Sequence, residues 1–203
     1  RGAYAPLLCS YWGGSQGHST TRVRAHVVSD LLTLVSTNGR KRVKVLLAAV
    51  NAKYIHSNLA VYDLKAYSSD YDEYVILREY TINQPKDEIL KDIYSSGADV
   101  VCFSCYIWNI SYVRNLIREV HKVLPDTAIW LGGPEVSYDA EAFLMEYPKV
   151  RGVMRGEGET VFPALASLYI EGTGSFQTIA GITYRNDQGE LQINEDGAPV
   201  NMD

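Results

Sequence analysis

The sequence predicts an α/β three-layer sandwich on a five-stranded parallel sheet, strand order 2-1-3-4-5, with a β-hairpin added at its C-terminal end. Three observations carry this expectation. From Val43 onward, apolar β-rich runs alternate with amphipathic helical windows at the spacing of βα units. The runs V-K-V-L-L-A-A-V, D-V-V-C-F-S and A-I-W-L are almost continuously apolar, as parallel strands covered on both faces require. After Gly172-Thr-Gly174-Ser the pattern changes to two short strand-like segments around a turn.

The strands fall near 43–50, 74–80, 99–104, 127–131 and 150–154. Tyr74–Thr81 alternates more than the others and suits a sheet edge. Helices fall between them near 58–68, 86–96, 110–123, 138–146 and 159–171, with start signals at Ser57/Asn58, Pro85-Lys86-Asp87 and Asn109. Ile179–Arg185, a turn at Asn186–Gly189 and Glu190–Asn194 read as the hairpin. The tail Glu195–Asp203 has linker composition and no hydrophobic face to pack.

At 203 residues, 46% hydrophobic and 21% charged, the chain can bury one substantial core. Residues 1–42 differ from the rest: they carry six Lys/Arg against one acid, mix Gly, Ser, Thr and His without a sustained period, and offer only a short helix over Val23–Val35. They read as a non-native or poorly ordered leader, or as an extension packing its leucines on the main domain. Residues 43–203 hold thirteen basic residues against twenty-three acidic ones, which disfavours a phosphate-backbone partner, so no nucleic acid is expected. No apolar run reaches the roughly 18 residues needed to span a bilayer, so no membrane partner is expected. Cys102 and Cys105 sit on or beside an apolar strand and read as small hydrophobes rather than a redox or zinc pair; a cytoplasmic protein is expected.

Four unusual loops follow predicted strands: Asn51–Ala60 (N-A-K-Y-I-H-S-N-L-A), Val101–Asn109 (V-C-F-S-C-Y-I-W-N), Ile129–Glu135 (I-W-L-G-G-P-E) and Val153–Thr160 (V-M-R-G-E-G-E-T). All four lie at the C-terminal strand edge, where doubly wound sheets bind ligands and helix N-termini offer free N–H groups. Gly132-Gly133 removes two side chains from that edge, and Gly156 and Gly158 allow positive φ in a tight strand-to-helix turn. An ordinary tight turn is the competing account of each pair.

In this order, and followed by A-G-I-T-Y-R, these loops resemble the N-terminal cobalamin-binding domain of cobalamin-dependent radical S-adenosylmethionine (SAM) proteins, over roughly residues 43–203. The resemblance implies a Rossmann-like (flavodoxin-like) module over 43–172 that holds the corrin at the C-terminal strand edge, its nucleotide tail in the sheet-side cleft. Residues 173–203 would then be a hairpin and linker toward a radical SAM domain, the expected partner. S-adenosylmethionine and a 4Fe-4S cluster would belong to that domain alone. Cys9, Cys102 and Cys105 cannot supply a C-x-x-x-C-x-x-C cluster loop, so the chain is not expected to be a complete enzyme and no catalytic residue is assigned.

The same resemblance places cofactor contacts at Asn51, Tyr54 and His56; at Ser104, Tyr106, Trp108 and Asn109; at Gly132, Gly133, Pro134 and Glu135; and at Gly156, Glu157, Gly158 and Glu159. Ser104 matches the hydroxyl position near the nucleotide tail, with capping of local backbone as its structural alternative. Gly132 and Gly133 match the double glycine lining the tail. Glu157 and Glu159 also read as helix-start acids favoured by the macrodipole. Tyr106 and Trp108 offer an apolar face to the corrin, or ordinary packing. Modules supplying a cobalt-ligating histidine carry D-x-H-x-x-G; here Tyr54-Ile55-His56-Ser57-Asn58-Leu59 lacks the Asp and the Gly, so His56 is not expected to ligate cobalt. Related enzymes of this kind are expected to transfer methyl groups. The alternative is a cobalt-free flavodoxin- or receiver-like nucleotide-binding or interaction domain, although the acidic cluster or Ser/Thr-rich loop those folds need after strand one is missing.

Overall fold

The computed structural model describes residues 42–53 and 57–197. The predicted leader, with its helix over 23–35, lies outside the described residues except for Arg42, as do Tyr54, His56 and the end of the tail. The strands are β1 (Val45–Asn51), β2 (Val75–Thr81), β3 (Val100–Ser104), β4 (Ala128–Gly132), β5 (Gly152–Met154), β6 (Ile182–Arg185) and β7 (Leu191–Ile193). Helices are α1 (Leu59–Tyr67), α2 (Lys86–Ser96), α3 (Ile110–Val123), α4 (Pro134–Ser137), α5 (Ala140–Glu146) and α6 (Gly158–Glu171), with short 3-10 turns at Ser69–Tyr71 and Phe176–Thr178.

The sheet runs β2-β1-β3-β4-β5-β6-β7. Its first five strands are parallel in the order expected from the sequence, with Val45 opposite Val75 and Val100, Val100 opposite Ala128, and Trp130 opposite Gly152. The hairpin is part of this sheet: β6 pairs antiparallel with β5, Met154 opposite Ile182, so the sheet has seven strands rather than five. The Asn186 side-chain oxygen closes the hairpin turn by accepting from the amides of Gln188 and Glu190 at 3.0 and 2.8 Å. The tail also departs from the linker expectation. Gly181 N donates to Glu195 O at 2.7 Å, and Asn194 Nδ2 reaches the carbonyls of Phe176 and Ile179, so residues 194–195 are tied to the body.

Side chains alternate across the buried strands and divide the core in two. Leu46, Ala48, Val50, Val101, Phe103, Ile129 and Leu131 face α2, α3 and α5, where α3 presents Val113, Leu116, Ile117 and Val120 at helical spacing. Leu47, Ala49, Cys102, Trp130 and Met154 face Val61 of α1 and Val161, Phe162 and Leu165 of α6. Cys102 and Cys105 belong to opposite clusters, and burial pushes each thiol up to about 12. They are small hydrophobes, as the sequence suggests, and among the described residues no group of His, Cys, Asp and Glu is placed to hold a metal. No helix among the described residues is long and apolar enough to cross a membrane.

Trp130 is fully buried, donates from Nε1 to the Tyr169 hydroxyl at 2.9 Å, and stacks near Phe176. It fits because Gly152 on β5 has no side chain: a Cβ there would lie 2.4 Å from Trp130 Cζ3 and 2.8 Å from the Thr183 carbonyl oxygen. Gly152→Ala should therefore lower stability by about 1–3 kcal/mol through overpacking, measured by urea denaturation; an unchanged midpoint would show that β5 and β6 shift freely.

Candidate functional site at the C-terminal strand edge

The ladder between β1 and β3 stops at Ala48 opposite Phe103, whereas β1 continues beside β2 to Asn51 opposite Thr81. The strands part beyond that pair, leaving backbone carbonyls in need of donors. Asn109, fully buried, supplies them: its Nδ2 donates to the carbonyls of Val50 and Ser104, both at 2.9 Å, and its Oδ1 accepts from Tyr106 N at 2.8 Å. Asn109 and Asn58 occupy helix N-cap positions as the sequence suggests, but neither side chain caps its helix. Both reach across to neighbouring strands instead.

A second polar knot lies on the β2 side. Glu79 Oε1 accepts from Asn51 Nδ2 and from Asn58 N, each at 2.8 Å, and Glu79 Oε2 accepts from the Tyr62 hydroxyl at 2.7 Å. Asn58 Nδ2 then donates to Ser104 Oγ at 2.9 Å. Partial burial pushes the Glu79 carboxyl up, but the hydrogen bonds from Asn58, Tyr62 and Asn51 outweigh it and hold the group below its ordinary value.

From this edge a cavity of about 800 Å³ descends between the sheet and helices α1 and α6. Leu47 and Cys102 from the sheet, Val61 and Leu64 from α1 and Thr160 from α6 line it. Around it stand Ser104, Tyr106, Gly132, Gly133 and Pro134, then Gly156, Glu157, Gly158 and Glu159. Three of the four loops singled out in the sequence thus meet at one cavity. Of the fourth, Ala60 reaches the lining, while Asn51 is buried against Glu79 and Tyr54 and His56 lie outside the described residues. Trp108, Asn109 and Glu135 are not among the lining residues, and Asn109 acts as the staple just described. Trp108 is 49% exposed and stacks on Tyr106 with ring centroids 4.5 Å apart and planes 7° from parallel. Core packing is thereby ruled out for Trp108. Burial, and the nearby Glu159 charge, push the Tyr106 hydroxyl up.

Each glycine has its own task. Gly133 has φ +107°, and a Cβ there would sit 2.5 Å from the Cys105 carbonyl oxygen, so two backbones cross at that point. At Gly132 the nearest atoms to a Cβ would all belong to Met154, its side chain from 3.4 Å and its backbone oxygen at 3.9 Å, which are ordinary contacts. Gly156 has φ +70° with open space around it. Gly158 does not adopt the positive φ expected from the sequence. It is the first residue of α6, and the lack of a side chain lets Leu64 of α1 approach, since a Cβ would lie 2.7 Å from Leu64 Cδ2.

Sequence reasoning missed Glu79, Asn58 as a bridge, and Arg155 with Asp196. A carboxylate within an edge strand, two asparagines in the loop beside it, was the available signal for Glu79. Arg155 follows β5 and its guanidinium bonds the Asp196 carboxylate at 2.5 Å and the Asn194 carbonyl, which brings Asp196 and Gly197 to the cavity wall. That long-range pairing has no local sequence signature.

A cavity of this size at the switch point of a doubly wound sheet is the kind of place where such sheets hold nucleotide- or cofactor-sized ligands. A family model, the B12 binding domain, matches residues 45–166, and the chain belongs to that family. This sets aside the flavodoxin- and receiver-like alternatives. The cobalamin-dependent radical SAM methyltransferase TokK of Streptomyces tokunonensis is 28% identical over 87 residues, 43% of this chain and 13% of TokK. The 2-(S-pantetheinyl)-carbapenam-3-carboxylate methyltransferase of Streptantibioticus cattleyicolor is 30% identical over 88 residues, again 43% of this chain and 13% of the relative. The chain therefore covers a small part of these relatives. The fold is similar to that of OxsB, a cobalamin-dependent S-adenosylmethionine radical enzyme solved with aqua-cobalamin and S-adenosylmethionine bound: TM-score 0.64 at 16% identity, covering 77% of this chain and 23% of OxsB. The radical S-adenosylmethionine methyltransferase TsrM of Kitasatospora setae, solved with cobalamin and a [4Fe-4S] cluster, gives a TM-score of 0.54 at 18% identity, over 79% and 30% of the two chains.

Two outcomes follow from this geometry. Gly133→Ala should cost about 3 kcal/mol or more, from backbone strain and collision with Cys105, whereas Gly132→Ala should cost about 1 kcal/mol or less; equal losses in thermal denaturation would show that the crossing is not tight. Glu79 has a lowered folded-state pKa, so the stability it lends the loop is present at neutral pH and is lost as pH falls through that lowered value. The Asn58 amide resonance should accordingly titrate with a midpoint below about 4.3, the ordinary glutamate value; a midpoint above it would refute the hydrogen-bonded carboxylate.

Proposed function

We propose that this domain is the cobalamin-holding module of a radical SAM methyltransferase, with the nucleotide tail in the cleft between the sheet and α1/α6 and the corrin over the C-terminal strand edge. The observation that carries the reading is the cavity itself, whose donor set suits such a tail. The Ser104 hydroxyl and the start of α6 offer donors to phosphate and amide oxygens, Gly132 presents no side chain to the cleft, and the apolar floor of Leu47, Val61 and Leu64 suits a flat base. Family membership and the activities of the similar proteins supply independent support.

Within this reading Gly132 and Gly133 keep the wall beside the tail free of side chains, and Ser104 fixes the tail by donation. Tyr106, backed by Trp108, gives the corrin an apolar surface, with Pro134, Glu157 and Glu159 beside its polar side chains. His56 is not a cobalt ligand. A bound cobalamin supplies carbon–cobalt chemistry, while the substrate, S-adenosylmethionine and a 4Fe-4S cluster belong to a radical SAM domain that docks on this edge. The chain's own residues hold and orient; none is assigned a bond-making role. A cytoplasmic location accords with the buried, reduced thiols.

Incubation with hydroxocobalamin followed by desalting should leave close to one corrin per chain by absorbance. Gly132→Leu, which adds bulk to the cavity wall at a position where a Cβ makes only ordinary contacts, should reduce retention at least tenfold with a near-native circular dichroism spectrum. A folded wild-type protein that retains no corrin absorbance would overturn the reading.

A further inference from the structure

The hydrogen bonds around Ser104 have a direction. Its Oγ accepts from Asn58 Nδ2 at 2.9 Å, and among the described residues no acceptor is bonded to the Ser104 hydroxyl proton, although Ser104 lines the cavity. A hydroxyl that already accepts a hydrogen bond is set to donate its own proton. The orientation of Asn58 is therefore what makes Ser104 a donor toward the ligand. Asn58 in turn is held from β2: Glu79 Oε1 accepts its backbone N–H at 2.8 Å and the Asn51 side chain at the same distance, pinning both ends of the loop between β1 and α1 to one carboxylate. Glu79 stands outside the cavity lining, and the Tyr62 hydroxyl at 2.7 Å fixes its other oxygen.

We propose that Glu79 is a positioning residue for the site: by holding the Asn58 backbone it places the Asn58 side chain against Ser104, whose hydroxyl accepts from it and donates onward, so the cavity selects a ligand group that accepts a hydrogen bond at that point. This rests on the cobalamin reading. There, the acceptor is a phosphate oxygen or ring nitrogen of the nucleotide tail, because Ser104 faces the cleft between the sheet and α1/α6 rather than the open edge. The corrin's amide carbonyls offer the same chemistry, and a corrinoid without the tail separates the two sources.

Titrations with cobalamin and with tail-less cobinamide test this on Glu79→Ala, Glu79→Gln, Ser104→Ala and the Glu79→Ala/Ser104→Ala double variant. Glu79→Ala is expected to weaken cobalamin binding about tenfold, the scale of one well-placed hydrogen bond to a charged or polar partner, and to leave cobinamide binding unchanged. Glu79→Gln should restore affinity, since its oxygen still accepts from Asn51 and Asn58 while its amide donates to Tyr62, whose hydroxyl can reverse. On a Ser104→Ala background, Glu79→Ala should have no further effect. Without ligand, Glu79→Ala should speed hydrogen exchange at the Asn58 amide about tenfold, the loss expected of a charge-assisted bond. Equal losses for both corrinoids, additive effects of the two substitutions, or unchanged cobalamin affinity would each overturn the proposal. Should wild-type protein bind neither corrinoid, the cobalamin reading fails on its own. The role of Glu79 is then decided by the Asn58 exchange rate, where an unchanged rate overturns it and a faster one supports the positioning of the loop.

Discussion

The parting of β1 and β3 is the constraint on which the rest of the molecule depends. Parallel strands bury every backbone polar group only while they remain paired, and here β1 outlasts its ladder with β3, which ends at Ala48 opposite Phe103. The carbonyls exposed by the divergence lie against the apolar core, where an unpaired group costs about 1–3 kcal/mol. One side chain with two donors resolves two of them. Asn109 joins Val50 of β1 to Ser104 of β3 and, by accepting from Tyr106 N, fixes the turn into α3. Because Asn109 satisfies the Ser104 carbonyl, the Ser104 side chain is left for the cavity.

A second constraint comes from close approach. The β3 and β4 ends cross so tightly that Cys105 N donates to Gly132 O at 2.7 Å, and Gly133 admits no side chain beside the Cys105 carbonyl. On the opposite wall, Gly158 allows α6 to start against Leu64 of α1. Two glycines thus fix the distances between elements, Gly156 turns the chain with open space around it, and a Cβ at Gly132 would make only ordinary contacts with Met154. The loops that look alike in sequence as glycine pairs are different devices in three dimensions.

Much of the framework is readable from the sequence because its signals are local. Strand runs such as V-K-V-L-L-A-A-V, the helical stripe of Val113, Leu116, Ile117 and Val120, and the punctuation by Gly97 and Gly172 each act within a few residues. The order 2-1-3-4-5 follows from the same pattern and places the special loops at one edge. What escaped the sequence depends on pairing across the chain. Nothing within Ile182–Arg185 says that it lies antiparallel to β5, and nothing in the β2 alternation says that Glu79 faces Asn51 and Asn58. The Asn109 signal was read as a helix start, which its position supports, but its polar atoms are directed to strand ends 5 and 59 residues away. Tertiary demand overrode local capping preference at both Asn58 and Asn109.

The added hairpin alters the extent of the site as well as the sheet. The family match ends at residue 166, yet the cavity wall includes Asp196 and Gly197. They arrive there because β6 turns antiparallel beside β5, which returns the chain after β7 toward the same edge from which β5 exits. Arg155, at the exit of β5, then clasps the Asp196 carboxylate and the Asn194 carbonyl, while Gly181 N holds Glu195 O. A surface ion pair alone contributes little, but the Arg155 side chain is only 17% exposed and its pairing is backed by backbone hydrogen bonds on both sides. The segment leaving the hairpin is therefore a wall of the cavity, which extends beyond the residues the family model matches to the chain that follows β7.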